Sequence, residues 1–362
     1  MNFFRFLYIH PSKDRSSYAG AQKIADTLTL FSFGKCSSFY SVTSSNSIHI
    51  FSIISLFLVI SSKPKLVIFY NLSLGNFMLA IFSRALGLTN ILQLEDLPDT
   101  SLHSFKGYLK LILLRLTSNF KLFPICLSPL DERIVRKFIA NSFVYVAWPP
   151  FPLEIDAIHK GQKSRESSSI FRSNTLNIKL QIVVGMSFVN ISEYYFLFDL
   201  ISLLKHSMIH CSIVITSPPG FKFPSFFNRL DLNSLSSHRI FIDFQSLLRP
   251  DYIQLISHSD LFINIRDPEY SLNTFPSKLS IPLSLSCPVI SNTCLFASAV
   301  MGPKLEIPFF NLPSMMVSYI ISNACNLPGI GKNQMLSYLH NSNANTVSSR
   351  FLIACRTHFA SS

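Results

Sequence analysis

Glycine is scarce in this chain, 11 residues of 362, and none of them sits in a G-x-G-x-x-G or G-x-x-x-x-G-K-[ST] pattern. That argues against dinucleotide fingerprints and P-loops, and the absence of G-x-S-x-G argues against a Ser-His-Asp hydrolase. Acidic residues are also few: 19 Asp and Glu stand against 31 Lys and Arg, giving a net charge of +12. Such a chain is drawn to an anionic partner, whether nucleic acid, phosphorylated substrate or anionic lipid surface. The seven cysteines, at 36, 126, 211, 287, 294, 325 and 355, are scattered and odd in number with no C-x-x-C. They read as reduced, small apolar residues of a cytoplasmic protein. No metal-ligand cluster is visible, and no apolar run reaches the roughly 20 residues needed to cross a bilayer. The longest, 48–60, reads as a buried helix or strand.

What is present is apolar and alternating. Hydrophobic residues make up 48%, with 34 Phe, enough for two cores in a chain whose length suggests two domains. Met1 to Pro11 lacks the apolar core and cleavage site of a secretory signal and reads as a first strand. Further strands are expected at 65–71, 90–94, 123–128 and 143–147, with a helix over 76–86 closed by Gly87. Trp148-Pro149-Pro150-Phe151-Pro152 then stops regular structure and marks a linker. Beyond it, strands at 179–185, 211–216, 239–244, 261–265 and 289–290 alternate with helices at 193–206 and 251–258. The pattern predicts an α/β fold with parallel sheets covered on both faces. The expected organisation is a domain over 1–150, a second over 151–335, and a helical segment over 336–362.

The stretch 260–292 organises the functional reading. It runs strand, polar loop, helix, strand, and such a unit places its loop at the carboxyl end of a parallel sheet, where open α/β folds bind ligands. The loop carries Arg266, Asp267 and Glu269, and Pro276-Ser277-Lys278 opens the expected helix. A helix start with a hydroxyl and an ammonium suits a phosphate, Arg suits a diphosphate, and Glu suits sugar or ribose hydroxyls.

Three other stretches carry candidates. Ser16 to Ala21, with Gly20, is a small-residue loop after the first strand that lets a ligand approach the backbone, or an ordinary βα turn. Glu95 and Asp96 directly follow a strand and read as a general base and acceptor-side site, or as a helix cap or hinge salt bridge. The segment 105–122, with Lys106, Lys110 and Lys121, is a basic apolar helix. It fits either a core position with a solvated lysine stripe or an anionic membrane surface at the inner face of the plasma membrane.

Arg266-Asp267-Pro268-Glu269, Phe275-Pro276-Ser277-Lys278-Leu279 and Cys287-Pro288-Val289-Ile290 together resemble the donor-site signature of bacterial GT-B glycosyltransferases of the family 4 type. The resemblance extends weakly to 65–71, to Gln93-Leu94-Glu95-Asp96-Leu97 and to the proline linker. It implies two Rossmann-like domains facing across a cleft. The implied activity is transfer of a hexosyl group from a UDP- or GDP-sugar to a glycan or lipid-linked acceptor, retaining and metal-independent, in cell-envelope polysaccharide synthesis. No cofactor is implied beyond the nucleotide-sugar substrate, and no nucleic acid. Carried over by position, Gly185, Arg266, Ser277 and Lys278 would bind the donor and Glu269 would act beside it. The acidic pair that many members carry falls at Asn273 and Ile281, and the glycine before the Pro-Val-Ile strand is Ser286. Pro282 would fall inside the helix, where it costs about 3 kcal/mol or a kink. These departures keep a second reading open, a non-catalytic GT-B-like binding protein with a degenerate donor site.

Overall fold

The computed structural model describes residues 6–10, 36–40, 66–70, 74–94, 109, 112–117, 123–126, 135–138, 144–145, 158–162, 179–186, 188, 190–207, 209–217, 220–267, 277–293 and 305–342. Contacts divide the chain into two compact units. One comprises Met1–Pro152 with Asn273–Phe275 and Ser342–Ser362, the other Leu153–Leu272 with Pro276–Asn341.

The first unit holds a six-stranded, all-parallel sheet of β1 (Phe6–His10), β2 (Cys36–Tyr40), β3 (Leu66–Tyr70), β4 (Thr89–Leu94), β5 (Phe123–Cys126) and β6 (Val144–Tyr145). Its order is β2-β1-β3-β4-β5-β6. Strand β2, Cys-Ser-Ser-Phe-Tyr, has too little apolar character to announce itself and pairs with β1 in parallel. In β3 consecutive Val67, Ile68 and Phe69 are all buried, as expected of a strand covered on both faces. The helix Leu74–Ala85 ends as the sequence predicts. Gly87 takes φ +76, its N–H donates to the Arg84 carbonyl at 2.9 Å, and the Leu88 N–H donates to Ser83 at 3.0 Å. Of the basic segment, 112–117 is helical and buries Leu113, Leu114 and Thr117. Arg115 is exposed and lies 5.8 Å from the Phe138 ring centre. This turn packs as a core helix does, and Lys106, Lys110 and Lys121 fall outside the described residues.

The second unit holds a five-stranded, all-parallel sheet: β7 (Lys179–Met186), β8 (His210–Ser217), β9 (Ile240–Ser246), β10 (Leu261–Ile265) and β11 (Val289–Ser291). Its order is β11-β10-β7-β8-β9. The central strands β7 and β10 are apolar and buried almost throughout, whereas edge strand β9 exposes Phe241 and Asp243. The helix Ile191–His206 covers one face and packs against the helix Pro313–Asn323, which the sequence reading did not anticipate. Among the described residues no helix is long and apolar enough to cross a membrane.

Pro282 lies early in a short helical stretch. The expected helix is a 3-10 turn, Ser277–Leu279, leading into a single α-helical turn, Ser280–Ser284. Pro282 is therefore third in a first turn, where a backbone N–H has no intrahelical partner to lose. Ser286, standing where the family signature has glycine, adopts φ +58. That left-handed conformation strains a residue with a Cβ by roughly 1 kcal/mol. Ser286→Gly is accordingly expected to stabilise the protein by about 1 kcal/mol, read as a higher urea midpoint at unchanged slope. A lower midpoint would show that the Ser286 backbone is not strained.

Candidate functional site at the switch point of the second sheet

The order β11-β10-β7-β8-β9 places a topological switch point between β7 and β10. The chain leaves β7 toward β8 and leaves β10 toward β11, on the other side, so the two loops part and open a crevice at the carboxyl ends of these strands. Every donor-side residue named from the sequence in 185–278 and described by the structure lies at this end of the sheet.

Gly185 is the penultimate residue of β7 and pairs with Asn264 of β10. A Cβ at Gly185 would stand 2.6 Å from Cζ of Phe262. Its glycine is thus demanded by a neighbouring ring in the sheet. Arg266 follows β10 and is only 8% exposed. Its backbone is gripped by the Asn292 side chain, whose Oδ1 accepts the Arg266 N–H and whose Nδ2 donates to the Arg266 carbonyl, both at 2.8 Å. Ser277 opens the 3-10 turn. Lys278, partly exposed as a residue, turns its ammonium inward to donate to the Met186 carbonyl at the end of β7. Burial, and then the nearby Arg266 guanidinium, lower the Lys278 pKa to about 7, with Glu193 acting in the opposite sense.

Glu193 was not singled out by the sequence reading. It lies in the first turn of Ile191–His206, three residues beyond the N-cap Asn190. The spacing Asn-x-x-Glu is that of a capping box and was legible. The carboxylate, however, accepts the N–H of Phe188 at 2.8 Å and that of Asp267 at 3.2 Å, so it bridges the loops leaving β7 and β10. Asp267 in turn accepts hydrogen bonds from Asn190 Nδ2 and from Ser192 Oγ, the latter at 3.5 Å. The helix start is therefore already served by two of the protein's own carboxylates, each favoured there by the helix dipole. Two buried oxygens at the same end, Asn264 Oδ1 and Thr293 Oγ1, have no hydrogen-bond partner among the described residues and can accept a donor. Ile281, at the family's acidic position, is 4% exposed and packs in the interior.

The structure thus brings together Gly185, Arg266, Asp267 and Lys278, with Ser277 beside Lys278, and adds Glu193, Asn190 and Asn292. Gly20, Glu95, Asp96 and Glu269 lie outside the described residues, as do Asn273 and Pro276. Chemically, Arg266 and Lys278 share a largely buried end of the sheet with two carboxylates, and the two basic side chains suit an anion there.

No family model matches the sequence, and no curated protein matches it. Solved structures do. A glycosyltransferase from Rickettsia africae ESF-5 aligns with a TM-score of 0.67 at 12% identity, covering 100% of both chains. Anabaena HepE, solved in complex with UDP and glucose, aligns at 0.61 and 12% identity, covering 98% of this chain and 99% of its own. The UDP-GlcNAc 2-epimerase from Neisseria meningitidis, bound to UDP-GlcNAc, aligns at 0.56 and 13% identity over 98% and 100%. Likeness of this length at so low an identity speaks for architecture, and the architecture is GT-B: an α/β chain built of two Rossmann-like, doubly wound units.

Proposed function

We propose that this chain is a nucleotide-sugar-dependent glycosyltransferase whose donor diphosphate binds at the β7/β10 switch point. The observation that carries the reading is the meeting of Arg266 and Lys278 at the carboxyl ends of these strands, on residues that also match the donor-site signature. Transfer breaks the bond between the sugar's anomeric carbon and the diphosphate oxygen and leaves negative charge on the nucleotide. Arg266 and Lys278 stabilise that charge as it develops. The acceptor hydroxyl forms the new bond and gives up its proton to a base, for which Glu95 or Asp96, directly after β4, is proposed, with Glu269 beside the sugar. Retention, independence of metal, a glycan or lipid-linked acceptor and a role in cell-envelope polysaccharide synthesis belong to this proposal and rest on the signature. The ligands of two structural neighbours, UDP with glucose and UDP-GlcNAc, favour a UDP-linked donor over GDP.

One observation favours the alternative of a GT-B-like binding protein without catalysis. Ile281 is buried and apolar where the signature has an acid, so one hydrogen bond to the donor is missing.

Calorimetry against UDP, GDP, UDP-glucose and uridine tests the reading. The wild-type protein is expected to bind UDP, and Arg266→Ala to weaken it by about 10- to 100-fold, since a hydrogen bond to a charged group contributes roughly 1.5–3 kcal/mol. Uridine, lacking the diphosphate, is expected to lose nothing. Absence of binding by every nucleotide at millimolar concentration would remove the enzyme reading. UDP binding with no turnover of UDP-sugars would favour the binding protein.

A further inference from the structure

Glu193 lies at the centre of the switch point, and the transfer proposed above makes no use of it. It is 0% exposed, and a carboxylate taken wholly out of water is costly unless paired and hydrogen-bonded. Interactions reach it from at least three separate elements. The turn leaving β7 supplies the Phe188 N–H, the loop leaving β10 supplies the Asp267 N–H, and the segment between β10 and β11 supplies Lys278. A capping-box glutamate closes back on the N–H of its own N-cap residue. Glu193 reaches beyond that, to a residue before the cap and to a loop 74 residues further along the chain. Helix capping alone does not account for these partners.

Among the described residues, the groups facing Lys278 are few. From the β10 loop comes the Arg266 guanidinium, from the helix Ile191–His206 the Glu193 carboxylate, and from β7 the uncharged Met186 carbonyl. Asp267, next to Arg266, is engaged by Asn190 and Ser192. Glu193 is therefore the one anion of this set whose field acts on Lys278 in favour of its charged form. Without it, Arg266, a like charge, is the one charged group among the described residues that acts on the buried ammonium.

We propose that Glu193 is a positioning residue of the donor site, which ties the loops leaving β7 and β10 to one another and supplies the anionic partner of Lys278. The part concerning the donor rests on the function proposed above. The pairing itself does not.

Two measurements on the full chain separate these parts. In protein carrying 13Cε-lysine, the Lys278 signal is identified by its loss in Lys278→Arg and followed through a pH titration without ligand. The wild-type midpoint is expected at about 7. Glu193→Gln, which keeps shape and one acceptor oxygen, is expected to lower it by about one unit, as loss of a nearby opposite charge does. Glu193→Asp, which keeps the charge on a shorter stem, is expected to restore most of that shift. A Gln midpoint equal to wild type, or Asp behaving as Gln does, overturns the pairing. Calorimetry with UDP at about pH 8, above both midpoints, is the second measurement: Glu193→Gln is expected to weaken binding about tenfold, because there a midpoint lowered by one unit cuts the charged fraction of Lys278 about tenfold. Unchanged UDP affinity in Glu193→Gln overturns the positioning role. If wild-type protein binds no UDP, the donor reading falls, and the titration alone decides whether Glu193 and Lys278 are paired.

Discussion

Gly331→Ala is expected to destabilise the second unit by about 2 to 3 kcal/mol, the upper range for overpacking a well-filled interior. The sign is not obvious from the sequence, because Gly331 lies within the helix Leu327–Ser342, where alanine is the better helix former by up to about 1 kcal/mol. Sterics decide against alanine. A Cβ there would stand 2.1 Å from the Ser286 carbonyl oxygen and 2.9 Å from N and Cδ of Pro288. Those atoms belong to a turn that cannot retreat. Ser286 and Cys287 donate N–H bonds to Leu283 and Pro282, and the Pro288 carbonyl accepts from Phe262 of β10 at 2.9 Å. The helix cannot retreat either. Three residues on, Gln334 clasps edge strand β11, accepting the Val289 N–H at 2.7 Å and donating to the Val289 carbonyl at 2.9 Å and to Glu306 at 3.1 Å. Gly329 on the same helix is the control. It is exposed, and an added Cβ would meet only the Asn326 side chain, so Gly329→Ala is expected to be neutral or mildly stabilising. Urea unfolding of the two variants compares them directly. Equal midpoints would mean that the contact of the helix with the Ser286 turn is looser in solution than described here.

Much of this architecture was legible in the sequence, for physical reasons. Strands buried on both faces read as unbroken apolar runs, so β3, β7 and β10 were placed within a residue or two. The stop at Gly87 was legible because a left-handed residue closing a helix is nearly always glycine. What escaped lies where propensity and context diverge. Strand β2 is polar and short, and only its pairing with β1 makes it a strand. The hydrophobic pattern predicts a helix opening at Pro276, yet its turn stops at Ser284 because the chain bends back through Ser286 to enter β11. The scarcity of glycine had a structural counterpart that composition could not locate. Phe188, Arg239 and Ser286 all take positive φ, each bearing strain that a glycine would relieve. At the site, residues with a motif were found and residues without one were missed. Arg266 and Lys278 stood in a recognisable stretch. Glu193 and Asn292 act by hydrogen bonds to loop backbone far away in sequence, 74 residues for Glu193 to Asp267 and 26 for Asn292 to Arg266. Only the capping-box spacing hinted at the first, and nothing local hinted at the second.

Lys278→Met is expected to abolish a rise of stability with pH that the wild-type protein shows between about 7 and 10.5. The folded-state pKa of Lys278 is about 7 against an ordinary 10.5, lowered first by burial and then by Arg266. Because the folded value is depressed, the native state holds fewer protons than the unfolded state throughout that window. Unfolding then takes up a proton and is opposed as pH rises. Stability therefore increases with pH, by about 1.4 kcal/mol per unit where the difference is complete, and the gain is given back as pH falls from about 10.5 to 7. Below that value both states carry the charge and this slope vanishes. Methionine has similar reach, no charge and no proton to exchange, so its variant keeps the packing and lacks the slope. Urea unfolding near pH 7, 8 and 9 is the measurement, with the wild type expected to gain roughly 1 kcal/mol per unit more than Lys278→Met. Parallel curves would place the ammonium in water with its ordinary pKa, contrary to its inward contact with Met186. Saturating UDP sharpens the result, since a diphosphate beside Lys278 favours the ammonium, raises its folded-state pKa and flattens the wild-type slope toward that of the variant. A wild-type slope that UDP leaves untouched, in a protein that binds UDP, would put the diphosphate on Arg266 and away from Lys278.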